Sequence, residues 1–271
     1  MTAPSPTARR RTAPDTAHQT PNDKTMTLTN PTPTDTSRAT AALWAGIGYA
    51  ALFVLAILAN FTVVQPVKTA GSATASLEAI AADPGAFRLA TLAFAAIFVI
   101  DVVIAWALHV ILRPTGEMRS LLAAWMRLTY TVLLGAGVAF LHLAGQLATG
   151  AIEASDSSGL VALLLEAFDI TWLVGLIAFG AHLLVIGWIL FQARLAPRIL
   201  GIGLMIAGAA YIADTALHLV VADYAAIAGV MLAVVAIPSM LSELGLTVWL
   251  FVAARRLRTA GRVAGQVAAR V

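Results

Sequence analysis

A small set of ionisable side chains sits where the chain is otherwise almost uniformly apolar: Asp101, Arg127, His142, His182, Asp214, His218 and Glu243. Such groups are costly in hydrocarbon, so they face other helices, where they mark a polar path, a proton relay or a pairing contact. Reading depth at about 1.5 Å of rise per residue sorts them into tiers. Asp101, Arg127 and Glu243 fall at one depth, in the half nearer the arginine-rich turns. His142, Asp214 and His218 fall in the other half, with Glu166 and Asp169 close to that surface and His182 between the tiers. Asp214 and His218 are four apart and share one helix face.

Each tier has its own chemistry. In the first, one cation faces two carboxylates, leaving a surplus negative charge that a shared proton can neutralise, which is what a proton-linked step needs. The same three groups also suit a static lock that fixes helix register. In the second, His142, Asp214 and His218, with Glu166 or Asp169, make a His/carboxylate set of the kind that binds zinc and lets a hydrolase activate water. Against that stands the absence of a His-Glu-x-x-His pair; no Gly-x-Ser-x-Gly elbow offers a serine nucleophile either. His109 lies near the end of its apolar run and is expected to snorkel toward the surface.

The elements that position these groups follow from composition. The chain is 60% hydrophobic and 11% charged, with mean hydropathy +0.87, against about 25% charged for an average soluble domain. There is no cysteine, which excludes disulfides and thiolate chemistry. Six apolar runs, each about the 20 residues needed to cross a bilayer, cover Ala41–Val64, Phe87–Leu112, Leu121–Leu147, Ile170–Gln192, Ile199–Val221 and Ile227–Ala253, the last interrupted by Pro238. The fourth and fifth form a hairpin about the hinge Gln192–Arg198. Two short helices are expected outside the runs: an interfacial one at Ala73–Ala82, with Leu77 and Ile80 on its apolar face, and an interfacial or re-entrant one at Leu160–Phe168. Asp83-Pro84-Gly85 is a stop-and-restart signal between helices.

The fold class is therefore all-α: a polytopic membrane helix bundle of about six transmembrane helices. Arginines cluster at alternate loops, which places both termini in the cytoplasm of a multi-pass plasma-membrane protein. The net charge of +3 reflects this topology rather than nucleic-acid binding. Residues 1–38, rich in Thr, Pro, Ala and Ser, read as a disordered cytoplasmic tail; residues 39–255 as the six-span domain; and residues 256–271 as a basic cytoplasmic tail lying along the inner surface. Arg9-Arg10-Arg11 stands some 30 residues ahead of the first apolar run, too far for a twin-arginine signal, and Met26 offers an alternative start. Asn60-Phe61-Thr62 has a glycosylation pattern but sits at the end of a span.

Several stretches carry a family resemblance: Pro84-Gly85-Ala86-Phe87-Arg88 with Asp101 behind it, Gly180-Ala181-His182-Leu183-Leu184, Ala196-Pro197-Arg198-Ile199-Leu200-Gly201, Tyr211-Ile212-Ala213-Asp214, and Ser242-Glu243-Leu244. Over about residues 41–255 the chain resembles the domain of unknown function 4386 family of prokaryotic integral membrane proteins. The resemblance implies a helical membrane fold and supplies no catalytic residues. Three functions stay open: small-solute or proton-coupled transport or binding through Asp101, Arg127, His182, Asp214 and Glu243; a metal-dependent intramembrane hydrolase on His142, Asp214 and His218; and a non-catalytic scaffold or sensor. The partners to expect are the lipid bilayer and, on the first two readings, a small-molecule ligand. No cofactor is named by the sequence, and the oligomeric state is open.

Overall fold

In a computed structural model that describes residues 35–268, the protein is helical, with no strand among the described residues. Among the described residues six helices are long and apolar enough to cross a membrane. The first comprises α1 (Asp35–Ala56), a π-helical stretch Ile57–Val64 and the short α2 (Gln65–Lys68) in one continuous run. After α3 (Ala73–Ala82) come α4 (Pro84–Leu112), α5 (Glu117–Ala148), α6 (Ser157–Ala193), α7 (Arg198–Val220) and α8 (Ala228–Ala268).

Each long helix packs on its neighbour in sequence, and α8 returns to pack on α1, so the six close into a ring. The outside of the ring is apolar: Trp44, Phe61, Leu89, Ile199, Leu232 and Val248 are exposed. The inside holds Asp101, Arg127 and His182. This inverts a soluble protein, as it must where the surroundings are hydrocarbon and polar groups need partners within the bundle.

Local signals set the breaks. Ser72 accepts a hydrogen bond from the Ala75 N–H and starts α3; Asp83 accepts from Ala86 ahead of Pro84 and starts α4; Asp156 accepts from Gly159 and starts α6. These caps satisfy N–H groups that a helix start leaves without partners. α3 has the bounds expected of the interfacial helix. Its Ile80 is buried, Leu77 packs against the core, and the helix lies against α6, α5 and α4 at the end of the ring opposite the arginine-rich turns.

Several expectations are corrected. Leu160–Phe168 is not a separate helix; it is the first part of a continuous 37-residue α6, about 56 Å long. No proline interrupts it, and Val161, Leu165 and Phe168 bury one stripe that runs on into the membrane span. The hinge contracts to 194–197. Pro238 does not break α8, which continues unbroken past the expected end at Ala253 and through the basic segment to Ala268. The Ser239 hydroxyl donates to the Val235 and Ala236 carbonyls, and the Ser242 hydroxyl to that of Pro238, so the serines beside the proline bond back into the helix. Asn60, whose glycosylation pattern is discounted for its place at the end of a span, does lie within the membrane helix, buried in the π-helical stretch. Residues 1–34 of the expected disordered tail and residues 269–271 of the basic tail lie outside the described residues, and helix α1 already begins at Asp35.

Helices α6 and α7 approach each other backbone to backbone. A Cβ on Gly180 would lie 2.5 Å from the carbonyl oxygen of Gly208, and one on Gly187 would lie 2.6 Å from that of Gly201. The two backbones therefore touch through paired glycines. Gly187→Ala should lower stability by about 1–3 kcal/mol, the usual cost of overpacking, read as a lower melting temperature in detergent; an unchanged value would show that the two helices can separate freely. For topology, cysteines introduced by Thr115→Cys and Ser155→Cys lie in loops at opposite ends of the ring. They should react with an impermeant maleimide from opposite sides of the membrane. Labelling of both from one side would overturn the six-span arrangement.

Candidate functional site

The centre of the ring is organised by one guanidinium. Arg127, on α5, is fully buried. Its Nε donates to Asp101 Oδ1 on α4 at 3.0 Å, and Nη2 donates to the same oxygen as an ion pair. Nη1 donates to the Tyr49 hydroxyl on α1 at 2.6 Å and lies 3.4 Å from Nε2 of His182 on α6. His182 Nδ1 lies 2.8 Å from the Ala123 carbonyl. A carbonyl only accepts, so Nδ1 carries the hydrogen and Nε2 offers its lone pair to the guanidinium. The Arg127 carbon sits 4.8 Å from the Tyr49 ring centroid and 5.3 Å from that of Phe179, so aromatic faces add to the hydrogen bonds.

A second acid sits beyond Phe179. Glu243, on α8, is 7% exposed. It accepts a hydrogen bond from the Tyr211 hydroxyl on α7 at 3.2 Å. Phe179 stacks on His182, with centroids 5.9 Å apart, and meets Tyr211 edge-on at 5.6 Å. It thus touches the arginine cluster on one side and Tyr211, the partner of the glutamate, on the other. Every membrane-spanning helix contributes a side chain to this assembly.

Of the groups singled out in the sequence, Asp101, Arg127 and His182 come together in direct contact. His182 is part of the arginine cluster rather than midway between tiers. Glu243 is a neighbour and not a ligand of the guanidinium: among the described residues no hydrogen bond or ion pair joins it to Arg127. Matched depth left the direction of each side chain open, and Glu243 turns to the Tyr211 hydroxyl. Tyr49 and Tyr211 were missed, although a hydroxyl-bearing aromatic in an apolar run is itself a signal.

The other tier divides. Asp214 and His218 line one cavity of about 570 Å³ at the ring end opposite the arginine-rich turns, with Gln65, Glu166, Asp169 and Tyr224. The Tyr224 hydroxyl donates to Asp214 at 2.5 Å, and its ring packs on His218 with centroids 4.3 Å apart. Burial and the bond to Asp214 push the Tyr224 phenol up to about 12. Asp169 is ion-paired with Lys68. His142 is elsewhere, in a cleft between α4 and α5, bonded to Gln146 at 3.2 Å. The expected metal set of His142, Asp214 and His218 is therefore not assembled, and among the described residues no three His, Asp or Glu side chains are placed to hold an ion. His109, expected to snorkel, bonds Ser120 at 3.0 Å and ties α4 to α5.

Residues 44–254 match the model of a family described as Domain of unknown function (DUF4386). No curated protein and no solved structure matches the chain.

The geometry orders the effects of substitution. Arg127→Ala leaves Asp101 charged and unpartnered in a dry site, which should cost about 3–5 kcal/mol. Arg127→Ala combined with Asp101→Asn should regain part of that, because the two side chains are in direct contact and their effects are not independent. Melting temperatures of the singles and the double in detergent check this. A harmless Arg127→Ala, or a double with Asp101→Asn that melts no higher than Arg127→Ala alone, would dissolve the pair as a unit.

Proposed function

The chain belongs to the DUF4386 family of domains of unknown function, and for this member we propose proton-linked binding and transport of a small solute, with Glu243 as the proton-exchanging group. The observation that carries the reading is the unequal treatment of two buried acids. Asp101 is matched by Arg127, so its charge is compensated. Glu243 accepts a hydrogen bond from a phenol and, among the described residues, forms no ion pair. A buried carboxylate without an ion-pair partner is costly in a membrane interior, so Glu243 can take up and release a proton without breaking an ion pair. The polar cavity holding Glu166, Asp214 and His218 is the entrance on this reading, and Phe179 and Tyr211 lie on the way inward.

Orientation belongs to the same proposal. Arg113, Arg119, Arg194, Arg198, Arg255 and Arg256 all lie at one end of the ring. The positive-inside bias makes that end cytoplasmic, with both termini on that side, in the plasma membrane. The hydrolase reading is not carried forward, since its histidines do not converge. A static lock is the second reading, favoured by the complete burial of Arg127 and Asp101.

Infrared difference spectroscopy of the protein in lipid, between pH 5 and pH 9, separates the two. Proton exchange at Glu243 should give a carboxyl band on the acid side that is lost in Glu243→Gln and shifted in Tyr211→Phe. The wild type, but not Glu243→Gln, should also acidify pyranine-loaded liposomes when solutes are screened under an inward proton gradient. A spectrum identical in wild type and Glu243→Gln would leave only the lock.

A further inference from the structure

A groove of about 890 Å³ runs along the seam of α7 and α8 at the arginine-rich end, and we propose that it is a binding site for an anionic phospholipid. Its floor is closed by direct helix contact. A Cβ on Gly203 would lie 3.3 Å from that of Ser242, and one on Gly245 would lie 3.2 Å from Leu200 Cδ1. Its walls include Leu241 and Val248, which are 70% and 63% exposed and so offer an apolar channel to an acyl chain. At its mouth stand Arg194 and Arg256. Both are exposed, and among the described residues neither is paired with a carboxylate. Two unpaired guanidiniums over an apolar channel match a phosphate headgroup above a hydrocarbon tail, because the planar fork binds phosphate oxygens in pairs.

The backbone at the mouth points the same way. Arg194 ends α6 with φ 51°, in the left-handed region. Glycine is the usual residue there, because a Cβ is disfavoured. An arginine held at such a position implies a use for its side chain. The Trp249 indole N–H donates to the neighbouring Leu195 carbonyl at 3.1 Å, tying the turn to α8 and holding Arg194 over the groove.

The test is native mass spectrometry of the full chain in detergent, titrated with phosphatidylglycerol and with phosphatidylcholine. The anionic lipid should bind more tightly, and Arg194→Gly and Arg256→Gln should each weaken it about fivefold, since each basic residue near an anionic lipid surface contributes about that factor. Arg255→Gln, on the same helix but outside the groove, should leave it unchanged. Val248→Trp should fill the channel and weaken both lipids. Arg194→Gly should melt no lower than wild type, because glycine suits that conformation; if it does melt lower, Arg256→Gln carries the comparison alone. Equal affinity for the two lipids, an Arg255→Gln loss as large as that of Arg256→Gln, or full phosphatidylglycerol binding in Val248→Trp would overturn the site.

Discussion

A guanidinium cannot shed its proton to escape burial, so a bundle that encloses one must supply every partner it needs. That requirement explains much of the ring. Arg127 takes a carboxylate from α4, a phenol from α1, an imidazole lone pair from α6 and an aromatic face from α6. Each partner fixes the rotation of the helix that carries it. The bilayer gives little help here, since lipid tails are as apolar as leucine and provide no hydrophobic force between helices. Specific polar contacts at the centre and glycine contacts between α6 and α7 do the sorting that hydrophobic burial does in a soluble protein.

The two buried acids show how position decides chemistry within one fold. Asp101 and Glu243 are both carboxylates held inside the ring by helices from opposite ends of the chain. Two donors of Arg127 on one oxygen tie the first to a permanent charge. The second is offered only a hydroxyl, that of Tyr211. On the proposed reading this asymmetry separates the part that holds the bundle together from the part that works.

How much of this was legible in the sequence depends on the kind of information asked for. The helices were, because long apolar runs bounded by arginines, prolines and capping residues have few other solutions in a membrane. Ala73–Ala82 and the Arg194 turn lie where the sequence puts them. Depth was legible too, since rise per residue is fixed, and it brought Asp101 and Arg127 together correctly. Direction around each helix axis was not. Nothing in one chain's residue types said that Glu243 would turn to Tyr211 and not to Arg127, or that His142 would turn toward α4 and away from Asp214. The continuity of α6 through Phe168 was missed for a related reason. A 37-residue helix exceeds the hydrocarbon thickness, and only the burial of Val161 and Leu165 shows that the excess length is packed.

Closure of the ring through α1 and α8 has a consequence for how the protein is made. Gly46 lies against the ring of Phe251, a contact between the first and last spans. At roughly 5–20 residues per second of synthesis, the stretch between them takes about 10–40 s to emerge. During that interval α4 to α7 emerge one after another behind α1, and one side of the assembly stays open until α8 follows. The pair of Arg127 and Asp101 can already form, because both belong to early spans, so the costliest charge is sheltered first. Glu243 arrives last, on the helix that shuts the gap. The chain order thus delivers the neutralised pair before the uncompensated acid, and the half-built protein holds no lone carboxylate at its centre while it waits.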